Sequence, residues 1–144
     1  MNTVVTSIQF GATVIYVEGR VKETLDFYTA AFGLLLRYYD DHLGFGELEP
    51  SGGGPTIMIA SYAAGEYMVG EQFQRSADKR PQDVELAFLI ADVSAAYARA
   101  VGAGATPMRA PRGMPWGQTV AYVSSFEGTL IGLMTPPSQG NPSL

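Results

Sequence analysis

The chain has 144 residues, no cysteine, a single histidine and a formal net charge of −5, with a pI near 4.7. It can build a core without covalent staples, and it excludes a disulfide framework, a cysteine-based metal site or nucleophile, and a basic surface for nucleic acid. No stretch reaches the roughly 18–20 apolar residues of a membrane span, and no basic segment precedes an apolar core at the N-terminus, so a soluble, unprocessed, cytoplasmic protein is expected.

Ala12–Val17 is a short apolar run rich in β-branched residues, which predicts a buried strand that Gly19 ends. Val21, Leu25, Tyr28 and Phe32 recur at helical spacing, so residues 21–32 form a helix with Gly33 as its C-cap. Extended segments follow at 34–40 and 45–49, with His42 in the turn between them. Pro50-Ser51-Gly52-Gly53-Gly54-Pro55 is the strongest turn signal, and 56–60 is the last strand of a βαβββ unit. No Lys-Ser/Thr follows those glycines and a strand comes next, so they form no phosphate loop. Residues 61–82 are mostly small or polar and read as a connection, with room for a short helix around Glu71–Arg75.

From Val84 the pattern starts again. A strand leads to a helix over 93–101, capped by Asp92 and ended by Gly102 or Gly104. Residues 107–112 are extended or looped, and strands follow at 116–123 and 130–135. A unit given twice is a duplicated module, since a solenoid needs three or more repeats. Module 1 covers about 8–61, a linker 62–82 and module 2 about 83–136, and the tail 137–144 is expected to be disordered.

The most specific pieces are Asp26-Phe27-Tyr28 with Phe32-Gly33, and Ala103-Gly104-Ala105. Pro115-Trp116-Gly117-Gln118 with Ala121-Tyr122-Val123, and Gly128-Thr129-Leu130-Ile131, complete the set. Their order and doubled layout resemble the vicinal oxygen chelate superfamily, from about Ala12 to Pro136. That superfamily includes the glyoxalases, the extradiol dioxygenases and the bleomycin resistance proteins. The resemblance implies an α+β fold in which two βαβββ modules form a curved, partly closed mixed sheet around a cavity, with helices outside. It also implies a metal position, with a His on the first strand of each module and a Glu on the last. Carried over, the His positions fall on Ala12 and Glu85, and the Glu positions on Met58 and Gly132. One carboxylate, one thioether and two residues without a donor do not hold a divalent transition metal, so no metal or other cofactor is expected. His42 lies in a turn and supplies neither a ligand nor a catalytic triad. The turn Ser125-Phe126-Glu127-Gly128 stands where the superfamily has Asp-Pro-Asp-Gly, a structural departure only.

Strand alternation then sorts the side chains. If Ala12 faces the cavity, so do Val14, Tyr16, Met58, Glu85, Ala87, Leu89, Leu130, Gly132 and Met134, with Val120 and Tyr122 if the parity carries past Trp116. The parity of Arg37, Tyr38, Tyr39 and Glu47 stays open, and Val14, Ala87, Leu89 and Leu130 read as ordinary core. The ligand-binding candidates are Glu85, Trp116, Tyr16, Tyr122, Met58 and Met134. Trp116 offers stacking area, and Glu85 offers one orienting charge in an apolar lining. Competing readings leave Glu85 exposed at a strand start without a role, or paired with an arginine.

The expected function is metal-free binding of a small molecule, cationic and aromatic, by sequestration of an antibiotic or toxin as in the bleomycin resistance proteins, with no catalytic residue. Two other classes compete. One is a metal- or Glu85-dependent lyase, isomerase or dioxygenase of the same superfamily, and the other a structural or regulatory partner protein. A homodimer is expected because open sheet edges favour association, and neither nucleic acid nor membrane is expected as a partner.

Overall fold

In the computed structural model the chain is described over residues 9–71, 73 and 84–136. β1 (Ala12–Val17) leads into α1 (Val21–Phe32), and β2 (Leu35–Asp40), β3 (Phe45–Glu49) and β4 (Thr56–Ser61) follow. β5 (Glu85–Leu89), α3 (Val93–Gly102), β6 (Thr106–Gly113), β7 (Thr119–Ser124) and β8 (Leu130–Met134) repeat the sequence of elements. The fold class is the expected one: α+β, built from two βαβββ modules. The strands form two four-stranded mixed sheets, in the orders β1-β4-β3-β2 and β5-β8-β7-β6. The first and last strands of each module pair in parallel, and the rest pair antiparallel. The two sheets are separate and not closed on each other.

Local chemistry agrees with the sequence at most boundaries. Gly33 ends α1 in the left-handed region at φ 71°, where a glycine carries no Cβ penalty, and its N–H donates to the Thr29 carbonyl. The Asp92 side chain accepts from the Ala95 N–H at the start of α3. His42 sits in the turn after β2. Differences appear in the connection and in the last hairpin. A helix, α2 (Tyr62–Val69), begins directly after β4, because Ser61 accepts from the Ala64 N–H as its cap and Tyr62-Ala63-Ala64 continue readily as helix. The helix expected around Glu71–Arg75 and the tail from 137 lie mostly or wholly outside the described residues. Trp116, Gly117 and Gln118 are a turn rather than strand, closed by the Gly117 N–H on the Met114 carbonyl and by the Met114 N–H on the Gln118 carbonyl. No helix among the described residues is long and apolar enough to cross a membrane.

The core lies between the helices and one face of each sheet. Val17, Leu25, Tyr28, Leu48, Ile57 and Ile59 of module 1 form one buried cluster with Val93, Ala100, Ala121, Val123, Ile131 and Leu133 of module 2. α1 sits so close to β3 that a Cβ at Gly46 would lie 2.6 Å from Leu25 Cδ1. Its other side reaches module 2. The Phe32 ring stacks on Phe88 at 4.9 Å, Phe27 meets Phe126 edge-on at 5.7 Å, and the Arg20 guanidinium lies 5.0 Å from the Phe126 ring centre. Arg99 of α3 donates from Nε to the Ala30 carbonyl of α1.

One polar contact crosses this seam. The fully buried Tyr28 donates its hydroxyl to Glu127 Oε1 at 2.9 Å, and Thr129 Oγ1 donates to the same oxygen at 2.6 Å. Glu127 Oε2 is buried with no hydrogen-bond partner among the described residues. Burial, and then the charge of Glu127, push the Tyr28 phenol well above its usual value. A raised folded-state pKa means that the unfolded chain releases the phenolic proton first, so this contribution is complete below about pH 10 and is lost as pH rises beyond it. Tyr28→Phe should therefore cost about 1–2 kcal/mol in urea unfolding at neutral pH. Above about pH 10 the wild type should lose stability more steeply than Tyr28→Phe. Parallel pH profiles for the two proteins would show that the Tyr28 hydroxyl contributes nothing at the seam.

Candidate functional site

A sheet with one face in the core must present the alternate residues on its other face. In the first sheet that open face is crossed by the register row Val14–Met58–Glu47–Tyr38. In the second it is crossed by Ala87–Gly132–Tyr122–Arg109. Met58 and Gly132 thus occupy equivalent places in the two modules, as do Ala12, opposite Thr56, and Glu85, opposite Leu130. Every side chain that alternation assigned to the cavity lies on an open face. The expectation that Val14, Ala87 and Leu89 are ordinary core does not hold within the chain, since Val14 and Leu89 are 40% and 60% exposed and Ala87 is exposed as well. Alternation chooses a face, but only packing decides whether that face is covered.

The first open face is largely engaged by the chain itself. Phe73, from the connection, meets Tyr16 edge-on at 4.8 Å and Tyr62 at 6.1 Å, and it rests on Gly65, where a Cβ would overlap its ring. Thr56 Oγ1 donates to Glu47 Oε2 at 2.7 Å. Arg37 lies 3.8 Å from carboxylate oxygens of both Glu47 and Glu49. Tyr38 packs edge-on against Phe45. The parity left open by the sequence is now settled: Glu47 and Tyr38 belong to the open face, while Tyr39 packs on the core. A bulge between Leu36 and Tyr38 is what the alternation rule could not foresee.

On the second open face, three of the expected residues converge. A Cβ on Gly132 would stand 2.5 Å from Glu85 Oε2, 3.0 Å from Met134 Cε and 3.1 Å from Tyr122 Cε1. The missing side chain thus leaves a patch of bare backbone, and Glu85, from the neighbouring strand, lays its carboxylate over it. Glu85 is the first residue of β5 and is exposed, as one sequence reading anticipated. Arg109 and Arg112 pair with Tyr122 and Val120 across β6–β7 and so share this face. Both were missed from sequence, because two register shifts between Pro107 and Arg112 break the alternation. No side-chain hydrogen bond or ion pair among the described residues engages Glu85, Arg109 or Arg112.

Trp116 belongs to the same sheet but to its far end. It is 38% exposed, and its indole N–H donates to Gln118 Oε1 at 2.9 Å. The buried Gln118 in turn donates to the Thr135 carbonyl at 2.6 Å. Trp116 is thus anchored, through Gln118, at Thr135, three residues or about 10 Å of extended chain beyond Gly132. Tyr16 and Met58 lie on the other sheet, apart from Glu85, Tyr122 and Met134. A groove of about 430 Å³ also runs along the seam between the modules, bordered by Phe32, Phe88, Asp92 and Arg99.

The four positions implied as metal ligands hold Ala12, Met58, Glu85 and Gly132. Among the described residues no group of three or more His, Asp or Glu side chains comes together in a way that could hold a metal ion. The set does not fit a metal.

Comparison with solved structures places the chain among similar folds. A glyoxalase/bleomycin resistance protein/dioxygenase family enzyme from Burkholderia phytofirmans PsJN superposes with a TM-score of 0.73 at 19% identity, covering 89% of this chain and 98% of that one. A glyoxalase/bleomycin resistance protein/dioxygenase from Nocardioides gives 0.72 at 16% identity, over 98% and 91%. TioX from Micromonospora sp. ML1 gives 0.63 at 19% identity, over 87% and 96%. At such identities the likeness concerns the fold alone. A comparison with curated protein sequences returned no match. The family model for the glyoxalase/bleomycin resistance protein/dioxygenase superfamily, however, matches residues 9–133. Doubled modules, equivalent strand registers and this match together make the chain a member of that superfamily.

Proposed function

We propose that the protein binds a cationic, aromatic small molecule without a metal and acts by sequestration, as an antibiotic- or toxin-binding member of the superfamily. The observation that carries this reading is the convergence of Glu85, Tyr122 and Met134 over Gly132. Where metal-dependent relatives need a second carboxylate, this chain has bare backbone with a neighbouring carboxylate laid across it. Aromatic and thioether surface beside one charge suits a flat cation. Trp116 supplies a second aromatic surface for a ligand long enough to reach it.

The binding site is completed by a second copy of the chain. Both open faces point away from the shared core, and β1 and β5 each end a sheet with an edge unpaired among the described residues. Val14, Tyr16, Leu89 and Val84 are exposed on or beside these edges. Unpaired edges and exposed apolar side chains favour association, and a second copy offers edges of similar length, six residues in β1 and five in β5. Module 1 of one copy and module 2 of the other would then bring Tyr16 and Met58 to the same cavity as Glu85, Tyr122 and Met134.

Four outcomes follow. Purified protein should carry well under one Mn, Fe, Co, Ni or Zn per chain by elemental analysis, and one tightly held transition metal in the cavity would overturn the metal-free reading. Sedimentation at micromolar concentration should give a dimer, and a monomer there would remove the shared cavity. Calorimetric titration should show Glu85→Gln weakening an aromatic amine by about 1–3 kcal/mol while sparing its neutral analogue. For a ligand long enough to span the sheet, Trp116→Ala should cost roughly 2 kcal/mol, and equal affinity would reduce Trp116 to a packing role.

A further inference from the structure

Within that reading, and resting on it, the charges of the second open face define the ligand more narrowly. The face carries one carboxylate, Glu85, and two guanidinium groups, Arg109 and Arg112. None of the three has an ion-pair partner among the described residues. The first face is the control: its Arg37 sits within 3.8 Å of Glu47 and Glu49, and Thr56 donates to Glu47. Among the described residues, the chain thus pairs the charges of one face internally and leaves those of the other apart.

Their placement is regular. Gly132, Tyr122 and Arg109 are successive partners across β8, β7 and β6. Two strand spacings, about 9.5 Å, separate the backbone beneath the Glu85 carboxylate from that of Arg109. Tyr122 stands between them with its ring edge at Gly132. A cation alone would leave two arginines unmatched on a face that binding covers, and an anion alone would leave Glu85 unmatched. Arginine also favours a planar, two-oxygen anion, which it can hold by two parallel hydrogen bonds.

We infer that the ligand of this face is zwitterionic: a cationic group held by Glu85 over Gly132, a flat apolar body over Tyr122, and a carboxylate or similar planar anion held by Arg109 and Arg112. Gly132 is the positioning residue. Any side chain there would displace the Glu85 carboxylate. The two nearest atoms are the far ends of the flexible Glu85 and Met134 side chains and the third is an edge carbon of the Tyr122 ring, with no backbone among them, so the substitution moves the charge without breaking the strand.

Three small probes test this: 4-(aminomethyl)benzoate, which carries both charges across one ring, benzylamine, which lacks the carboxylate, and benzoate, which lacks the amine. Ligand-observed NMR titrations of the full chain at millimolar probe should show the zwitterion binding about tenfold tighter than either single-charge probe. Replacing both Arg109→Gln and Arg112→Gln should bring the zwitterion down to the benzylamine level. Glu85→Gln should bring it down to the benzoate level, and Gly132→Ala should do the same if the carboxylate position matters as well as its presence. If benzylamine binds as tightly as the zwitterion to the wild type, the zwitterion inference falls while the cation-binding reading stands. If none of the three probes binds, both fall.

Discussion

α1 packs in two directions at once, and the rest of the molecule depends on it. Leu25 presses into β3 at Gly46, where no side chain fits, while Phe32 and Phe27 stack on Phe88 and Phe126 of the other module. A helix with apolar side chains on two sides joins the modules through their helix-bearing faces. Once those faces share a core, the opposite faces of both sheets must point away from it. The open faces, their exposed apolar residues and their unpaired edges are consequences of that single packing choice. The Tyr28–Glu127 hydrogen bond adds a polar fastening across the same seam, between residues 99 apart in the chain.

The duplicated modules then diverge chemically on a common backbone. The strand registers place Met58 and Gly132 at equivalent points, and the surroundings of those points have opposite characters. Around Met58, Glu47 is held by Thr56 and Arg37, and Tyr16 is engaged by Phe73. Around Gly132, the charges of Glu85, Arg109 and Arg112 stay apart and Tyr122 keeps its ring beside bare backbone. Duplication supplies two similar surfaces, and a few substitutions let the polar groups of one engage each other while those of the other have no such partner among the described residues. Gly132 does more than omit a side chain, because it opens room for a carboxylate from the next strand.

Much of this was legible in the chain alone. The two apolar runs at 12–17 and 85–89, the helical spacing of Val21, Leu25, Tyr28 and Phe32, the Gly33 and Asp92 caps and the glycine-rich turn after Pro50 specify βαβββ twice, because period and capping are local properties. Alternation also placed Glu85, Tyr122 and Met134 on one face correctly, since strands without bulges keep their parity. It failed at Arg109 and Arg112, and left Tyr38 and Glu47 open, because bulges in β6 and β2 shift the count by residues that no composition marks. α2 was missed because its signal, Ser61 ahead of two alanines, lay in a stretch that otherwise reads as a connection.

Sequence by itself determined the elements, the doubled order and the absence of a metal donor set, since each follows from residue identity and short-range spacing. Tertiary structure decided which surfaces are covered. It turned Val14, Ala87 and Leu89 from expected core into exposed surface, separated Tyr16 and Met58 from Glu85 within one chain, and anchored Trp116 through Gln118 at Thr135, three residues beyond Gly132. It alone laid the Glu85 carboxylate over Gly132 and put two arginines beyond Tyr122. Those relations depend on strand register and on which face the helices occupy. Both are set by packing between residues far apart in the chain, where local periodicity carries no information.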